Sequence, residues 1–230
     1  MKLLARHFAT VLEIVRLPVA PLRFHSHIDP TRIKEAYRYF TKPHPKYRVI
    51  QNKSVGAALI DLHANPDRDS YLEKIQGKNR GAFHAKRAQT RGYVVREIER
   101  NDFIEDIHAV NTSVETRQGQ PMEKHYLQKV TRFENWPHFK YFGLFNADGK
   151  LMAYANLGIY GDFCAFSHVI GCRNNDGIMH LLIVDIVCRL IEEGTLNYVM
   201  YDTFFGARPG LRQFKQAVGF QPYRAKYSLQ

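Results

Sequence analysis

From residue 93 onward, the order of hydrophobic and polar positions predicts a regular succession of strands and helices. Runs rich in β-branched and aromatic residues, bounded by turn residues, are typical of strands, whereas apolar residues three and four positions apart are typical of helices. The Asp148-Gly149 step favours a hairpin between two of the strands. In order, the predicted elements are a strand at 93–98, a helix capped by Asp102, a helix at 122–133, strands at 138–145, 150–157 and 163–170, a helix at 176–193, a strand at 197–202, a helix at 210–218 and a strand at 221–229.

The helix at 176–193 is apolar on nearly every side, which predicts that it is buried on most faces. Because it connects two strands, it also predicts a parallel crossover. The other strands follow one another in the antiparallel manner of a meander. The expected fold is therefore mixed α/β, with a central, mostly antiparallel sheet, one parallel crossover and helices on both faces.

The first 92 residues give a less regular pattern. Proline residues leave room for one clear helix at 30–40, with Asp29 as its N-cap, before a strand at 53–62. A further helix is expected from Asp69 or Ser70 to Thr90. The first 22 residues predict a short amphipathic helix or an arm, because charged residues interrupt any apolar segment of a signal peptide. We therefore expect residues 1–70 to form an extension or partial cap, and residues 71–230 to form the main domain.

Composition adds one unusual property, which is the charge. The 230 residues are 45% hydrophobic and 24% charged, which excludes a disordered chain, a collagen-like fibre and a coiled-coil rod. There are 33 Lys and Arg against 22 Asp and Glu, so the net charge is +11. An anionic partner is expected, and nucleic acid, a phosphorylated cofactor and an anionic membrane surface all fit.

The cysteine pattern concerns the compartment and the kind of site. Three cysteines without a C-x-x-C spacing favour a reduced, cytoplasmic setting and weaken zinc-site and thioredoxin-like interpretations. The histidines show no spacing typical of metal ligands, so no metal is expected. The most apolar stretch, 178–191, contains charged residues and predicts no transmembrane span.

Three segments carry a resemblance to a known family. They are Tyr71-Leu-Glu-Lys-Ile-Gln-Gly-Lys-Asn-Arg80, Ala85-Lys-Arg-Ala88 before a Gly-Tyr-Val-Val strand, and Gly206-Ala-Arg-Pro-Gly-Leu-Arg-Gln-Phe-Lys215, which leads to Gly219-Phe220. With the order of elements, they make residues 70–230 resemble the GNAT N-acetyltransferase superfamily. More narrowly, the chain is similar to Fem-type aminoacyl and acyl transferases of peptidoglycan bridges. The resemblance implies an N-acyltransferase that uses acetyl-CoA, another acyl-CoA or aminoacyl-tRNA.

The loop before the buried helix is the expected cofactor site. A helix N-terminus presents unpaired N–H groups that bind phosphate, although the segment also reads as an N-capped helix without a ligand. In GNAT proteins this loop is Gln/Arg-x-x-Gly-x-Gly/Ala, and here only Arg173 matches, with a glycine one position late. Asp176 would repel phosphate. The expected cofactor-binding residues are Val169, Ile170, Gly171, Arg173, Asn174, Asn175 and Gly177.

Acyl transfer to an amine needs a base, donors for the oxyanion and an acid. The resemblance implies an oxyanion donor in the backbone near Val169 or Ile170, and an acid at the position where this chain has Lys215 rather than tyrosine. Lys215 can stabilise a leaving group or a phosphate as a point charge, or it is simply a solvated helix residue. The tyrosine's proton role would then pass to Tyr201 or Tyr198. Asp202 follows at the end of a strand and is predicted to be the base or the amine anchor, or to cap the next turn.

The remaining expected site residues contact the acceptor. Ser167 and His168 lie at the end of the neighbouring strand. An imidazole ordinarily titrates near neutrality as a base should, so His168 is a candidate base or is structural. The resemblance places acceptor contacts near Glu115 and Arg117, which can equally be surface charges. Cys172 is a weak candidate for a nucleophile.

One basic stretch is the expected nucleic-acid surface. Cations interleaved with Phe83 and Tyr93 can follow a tRNA or DNA backbone, although such runs are also typical of a solvated helix face. The cations are Lys74, Lys78, Arg80, Lys86, Arg87 and Arg91.

Three functions remain open at this point. The first is transfer of an acyl or aminoacyl group from acyl-CoA or aminoacyl-tRNA to an amine by direct attack. The second is DNA base modification, as in phage GNAT relatives of the Mom type. The third is a basic nucleic-acid-binding module without catalysis. The sequence leaves the acceptor and the oligomeric state open.

Overall fold

Eight strands form one mixed sheet, with helices on both of its faces. The computed structural model describes residues 14–78, 80–117, 120–205 and 207–230, and of residues 117, 120 and 121 it describes the backbone alone. The strands of the sheet are β1 (Val19–Phe24), β2 (Val55–Asp61), β3 (Val94–Glu97), β6 (Phe139–Phe145), β7 (Leu151–Ile159), β8 (Phe163–Gly171), β9 (Tyr198–Thr203) and β10 (Gln221–Leu229), while β4 (Thr116–Arg117) and β5 (Gln120–Pro121) pair separately. The helices are α1 (Pro30–Thr41), α2 (Arg68–Lys74), α3 (Gly81–Thr90), α4 (Ile104–Thr112), α5 (Lys124–Leu127), α6 (Ile178–Glu193) and α7 (Pro209–Ala217).

The strand order is β1-β10-β2-β9-β8-β7-β6-β3. Most neighbours are antiparallel, and α6 supplies the predicted crossover between the parallel strands β8 and β9. A second parallel pair, β1 with β10, lies at the sheet edge. The predicted mixed α/β fold is thus confirmed.

Each face of the sheet has its own apolar cluster. Alternate strand residues such as Ala58, Val169 and Val199 pack with α2, α3 and α6 on the first face. On the second face α1 covers one half and α4 and α5 cover the other. Ten residues of α6 are buried, as its apolar pattern predicts.

Several predicted elements are correct in kind and nearly in extent. Asp29 caps α1 and its side chain accepts a hydrogen bond from the N–H of Arg32. The hairpin of β6 and β7 turns at 146–149, where Gly149 has a positive φ. The strands near 53–62, 93–98, 163–170, 197–202 and 221–229 and the helices near 176–193 and 210–218 are all present.

Other predicted elements are wrong. The helix expected from Asp69 or Ser70 to Thr90 is divided into two helices. Asp67 caps α2, which ends at Lys74, and α3 begins at Gly81. Gly77 lies between them with a φ of 119°, which a helix does not accommodate. The helix expected at 122–133 is only the four residues of α5, and irregular chain follows to β6. Instead, single apolar residues of that stretch, such as Met122 and Phe133, pack beneath α4.

The N-terminal segment holds a strand that the sequence pattern did not predict. Residues 19–22, expected in a helix or arm, belong to β1, and residues 1–13 lie outside the described residues. The sheet contains strands from both sides of residue 70, with β2 between β10 and β9. The domain boundary at residue 70 stays a prediction.

Candidate functional site

A gap opens in the sheet between β8 and β9. The two strands pair from Phe163 to Ala165, opposite Tyr198 to Met200, and the paired register ends there. Ser167 is an extra residue in β8, because Phe166 pairs with Leu157 and His168 pairs with the adjacent Asn156. A bulge bends its strand, so this extra residue accounts for the divergence of β8 from β9.

A cavity of about 660 Å³ lies at the gap, beside the N-terminus of α6. We call it the first cavity. All seven residues predicted to bind a cofactor line it: Val169, Ile170, Gly171, Arg173, Asn174, Asn175 and Gly177. The structure therefore brings the whole predicted cofactor set together, beside apolar residues of α6 and α7.

Side chains of α3 and of the residues that follow it bind the loop at 171–177. Arg91 forms an ion pair with the Asp176 carboxylate, which also accepts a hydrogen bond of 2.8 Å from the Tyr93 hydroxyl. Arg87 donates to the backbone carbonyl of Asn175. Two members of the predicted nucleic-acid set thus bind this loop, and the negative charge of Asp176 is paired.

The N-terminus of α6 has no side-chain cap. Gly177 precedes it with a φ of 89°, and a Cβ built there would overlap the carbonyl oxygen of His84 on α3. Only glycine allows this approach. Residues 177–180 line the first cavity, so the unpaired N–H groups of the helix lie at its wall.

Two histidines line the same cavity and were not predicted as site residues. The ring of His180 lies 4.5 Å from that of His84 and 4.9 Å from that of Phe214, between centroids. Burial, with smaller contributions from His84 and Arg87, lowers the pKa of His180 to about 4, so its imidazole is neutral at physiological pH. For His180, the sequence did contain a signal for a site residue, which is a histidine inside an otherwise apolar helix pattern.

A second cavity, of about 750 Å³, lies beneath α1 on the other side of the gap. We call it the second cavity. Its wall includes Arg32, Tyr39, Trp136, Tyr160, Ser167, Asp202 and Lys215. The guanidinium carbon of Arg32 lies 4.1 Å from the centre of the Trp136 ring. Val169, Tyr201 and Leu211 line both cavities, which therefore meet at the gap.

Lys215 is almost completely buried, with 1% of its surface exposed. Its ammonium donates a hydrogen bond of 2.8 Å to the carbonyl oxygen of Thr203 and lies 5.0 Å from the centre of the Tyr201 ring. Burial lowers the pKa of Lys215 to about 8, although Asp202 raises it in part and Lys53 lowers it slightly. The side chain can therefore gain or lose a proton near neutral pH.

Asp202 lies at the end of β9 in a left-handed conformation, with a φ of 55°. Such a conformation in a residue other than glycine is costly and clusters at functional sites. Its carboxylate forms an ion pair with Lys53, and the side chain is 53% exposed. An ion pair this exposed contributes at most about 1 kcal/mol, so an incoming ammonium group can replace Lys53.

The other predicted residues lie away from the gap. His168 points to the side of α4 and α5, where it lines a cavity of about 270 Å³ with Asn156 and Tyr126. Glu115 is exposed, and the side chain of Arg117 lies outside the described residues. Tyr198 is half-buried against β10.

The cations of the predicted nucleic-acid set divide into two groups. Lys74, Lys78, Arg80 and Lys86 are exposed. Arg87 and Arg91 contact the loop at 171–177 as described above.

Two further site types are absent from the described part of the chain. No group of three or more His, Cys, Asp or Glu residues could hold a metal ion there. Within the same residues, no helix has the length and apolar character needed to cross a membrane.

Comparison with known proteins finds similarity in structure alone. Neither a family model nor a curated sequence matches the chain. The crystal structure of FemX aligns with 85% of this chain and 66% of its own, at 9% identity and a TM-score of 0.57. The C-terminal domain of an Agrobacterium fabrum protein assigned as a lysylphosphatidylglycerol synthetase aligns with 73% of this chain and 58% of its own, at 18% identity and a TM-score of 0.50.

The chain spans 58% to 66% of the length of these two structures. Their likeness supports the mixed α/β fold, with its eight-stranded sheet and helices on both faces. The strand order, the gap after the parallel pair and this structural likeness together show that the chain has the GNAT fold, with a Fem-type protein among its structural neighbours.

Proposed function

We propose that the protein is an acyltransferase that moves an acyl or aminoacyl group to an amine by direct attack at the gap between β8 and β9. The observation that supports this most is the meeting of two cavities at Val169, Tyr201 and Leu211. A donor in the first cavity and an acceptor in the second would have their reacting atoms at that junction. The likeness to FemX and to the lysylphosphatidylglycerol synthetase domain agrees with this chemistry.

The first cavity fits a donor that carries phosphate. The uncapped N-terminus of α6 and the Arg173 guanidinium favour an anion, and Asp176 is neutralised by Arg91. Apolar residues such as Met179 and Leu211 offer a surface for an uncharged arm. Acyl-CoA is the preferred donor and aminoacyl-tRNA the second, and either supplies an acyl group on a leaving group.

The backbone of β8 offers an oxyanion donor. The N–H of Cys172 donates to Met152 on β7, and hydrogen bonds along a strand alternate between its two edges. The N–H groups of Val169 and Gly171 therefore face the gap, whereas that of Ile170 faces β7. This alternation favours Val169 over Ile170.

The second cavity supplies the acceptor half of the proposed reaction. Asp202 binds the ammonium of the acceptor in place of Lys53 and takes up the proton that must leave before attack. Lys215, as a cation, stabilises negative charge that develops on the carbonyl oxygen. Tyr201 lines both cavities, and its hydroxyl is the proposed acid that protonates the leaving group.

Thermal-shift titration with acetyl-CoA tests the donor half of this proposal. We expect a concentration-dependent rise in melting temperature that Arg173→Ala weakens and the exposed control Lys78→Ala leaves unchanged. The absence of a shift at saturating acetyl-CoA would exclude that donor and favour aminoacyl-tRNA.

A transfer assay with a panel of primary amines tests the acceptor half. Lys215→Met should abolish transfer and retain the acetyl-CoA shift. If neither donor supports transfer, while DNA or RNA binds with a steep salt dependence, acyl transfer to free amines is refuted in favour of the DNA-modifying or non-catalytic function.

A further inference from the structure

A stretch of 25 residues, from 36 to 60, contains no Asp or Glu. It carries nearly half of the net charge of +11. Its five cations are Arg38, Lys42, Lys46, Arg48 and Lys53. They lie at the end of α1 and in the connection to β2, and we call residues 38–53 the basic loop.

The basic loop has a defined backbone. The N–H of His44 donates to the carbonyl of Ile50 at 2.9 Å, and that of Asn52 donates to the carbonyl of Lys42 at 2.8 Å. The His44 imidazole also accepts a hydrogen bond of 3.0 Å from the N–H of Tyr47. These bonds hold the tip of the loop in place, so a ligand there would not have to order it first.

Exposed aromatic rings in this loop lie next to cations. Tyr39 is 50% exposed and Tyr47 is 53% exposed. The ammonium of Lys42 lies 4.5 Å from the centre of the Tyr39 ring, and that of Lys46 lies 5.2 Å from the centre of the Tyr47 ring. The ring of His44 stacks on Tyr47 at 5.3 Å. Each tyrosine thus combines a ring face with a positive charge.

Single-stranded nucleic acid has the matching chemistry, because its bases stack on aromatic rings and its phosphates pair with cations. A duplex hides the faces of its bases, so exposed rings beside cations favour a single strand over a duplex. Tyr39 and Lys53 also line the second cavity, so the loop lies at the rim of that cavity.

We propose that the basic loop binds single-stranded nucleic acid, with bases stacked on Tyr39 and Tyr47 and phosphates at Lys42, Lys46 and Arg48. This surface differs from the predicted set at 74–91, in which Arg87 and Arg91 bind the loop at 171–177. The binding does not depend on acyl transfer.

Fluorescence anisotropy of the full chain with labelled DNA and RNA strands of about 12 nucleotides tests the proposal. Tyr47→Leu keeps the charge and removes the ring, and it should weaken binding on the order of tenfold. The double variant Lys46→Ala/Arg48→Ala should reduce the slope of log affinity against log salt by about 1.4. The matched control Lys78→Ala/Lys86→Ala removes two exposed cations from the other basic surface and should retain binding.

Three results would overturn the proposal. One is equal affinity of Tyr47→Leu and the unchanged protein, since stacking would then play no part. Another is a greater loss in the Lys78→Ala/Lys86→Ala control than in the loop variants. The third is displacement of the strand by vesicles of anionic phospholipid but not by unlabelled strand. Separate DNA and RNA titrations identify which polymer binds more tightly, and binding of either supports the proposal.

Discussion

Replacing Lys215 with methionine should remove a specific rise in stability at alkaline pH. In the folded protein, burial lowers the pKa of this lysine to about 8, from an ordinary value of 10.5. Between these two pH values the unfolded chain binds more protons than the folded chain. The free energy of unfolding therefore increases as the pH rises through this window, and burial of the charge costs stability below it.

The size of the effect follows from the shift in pKa. At neutral pH the shift costs about 3 kcal/mol of folding free energy. By about pH 9 the cost falls by about 1 kcal/mol. Methionine has a similar length and no charge, so the variant lacks this dependence, although it also loses the hydrogen bond to Thr203.

Urea unfolding at several pH values from about 7 to 9 measures this effect. The difference in unfolding free energy between the natural protein and Lys215→Met should shift by about 1 kcal/mol in favour of the natural protein as the pH rises. The exposed residue Lys86 provides the control, since Lys86→Met should leave the pH dependence unchanged. Parallel pH curves for the natural protein and Lys215→Met would refute the argument that burial lowers the pKa of Lys215.

Three further predictions concern the first cavity. Gly177→Ala should destabilise the fold by at least about 1 kcal/mol and abolish the acetyl-CoA thermal shift, because a Cβ overlaps the His84 carbonyl; an unchanged melting temperature would contradict this. Arg87→Ala should raise the KM for the donor on the order of tenfold and leave kcat nearly unchanged. The reason is that the Asn175 carbonyl loses its hydrogen bond and the loop at 171–177 becomes less rigid. Steady-state kinetics measure both constants, and an unchanged KM would contradict the prediction. His180→Phe should reduce the loss of thermal stability as the pH falls from 6.5 toward 4. The folded-state pKa of His180 is about 4, so in this range the unfolded chain takes up the proton before the folded chain does. Identical melting temperatures of the two proteins across this pH range would refute the prediction.

The central part of the fold follows from local patterns that tertiary packing reinforces. The apolar pattern of 176–193 predicts a helix buried on most sides, and α6 is such a helix. The three strands before it are joined by short turns, which restrict them to antiparallel neighbours. Here the period of the sequence and the demands of the core agree, so the prediction is confirmed.

The errors arise where long-range contacts decide. β1 is short, proline-containing and lies at the sheet edge, and its partner β10 comes from the other end of the chain. Nothing local to 19–24 signals that pairing. The helix expected at 122–133 was wrong for a different reason. Its apolar residues have a helical spacing, which is a misleading local signal, but they pack one by one beneath α4.

The candidate site likewise contains features that local sequence predicts and features that depend on long-range contacts. The loop at 171–177 precedes a helix, so its place at a helix N-terminus could be predicted from the sequence. The pairing of Asp176 with Arg91 could not, since these residues are far apart in sequence. Lys215 was singled out by its position in the resemblance, but its complete burial depends on the packing of α7 against the end of β9.

The edge pairing of β1 with β10 has a consequence for how the chain folds as it is made. Val19 lies beside Arg224, 205 positions later, and β2 lies between β10 and β9. On the ribosome, the segments that form β1 and β2 therefore emerge long before their neighbours β9 and β10 exist. Their apolar faces stay uncovered until the C-terminal strands are made, so the sheet closes late and folding is slow.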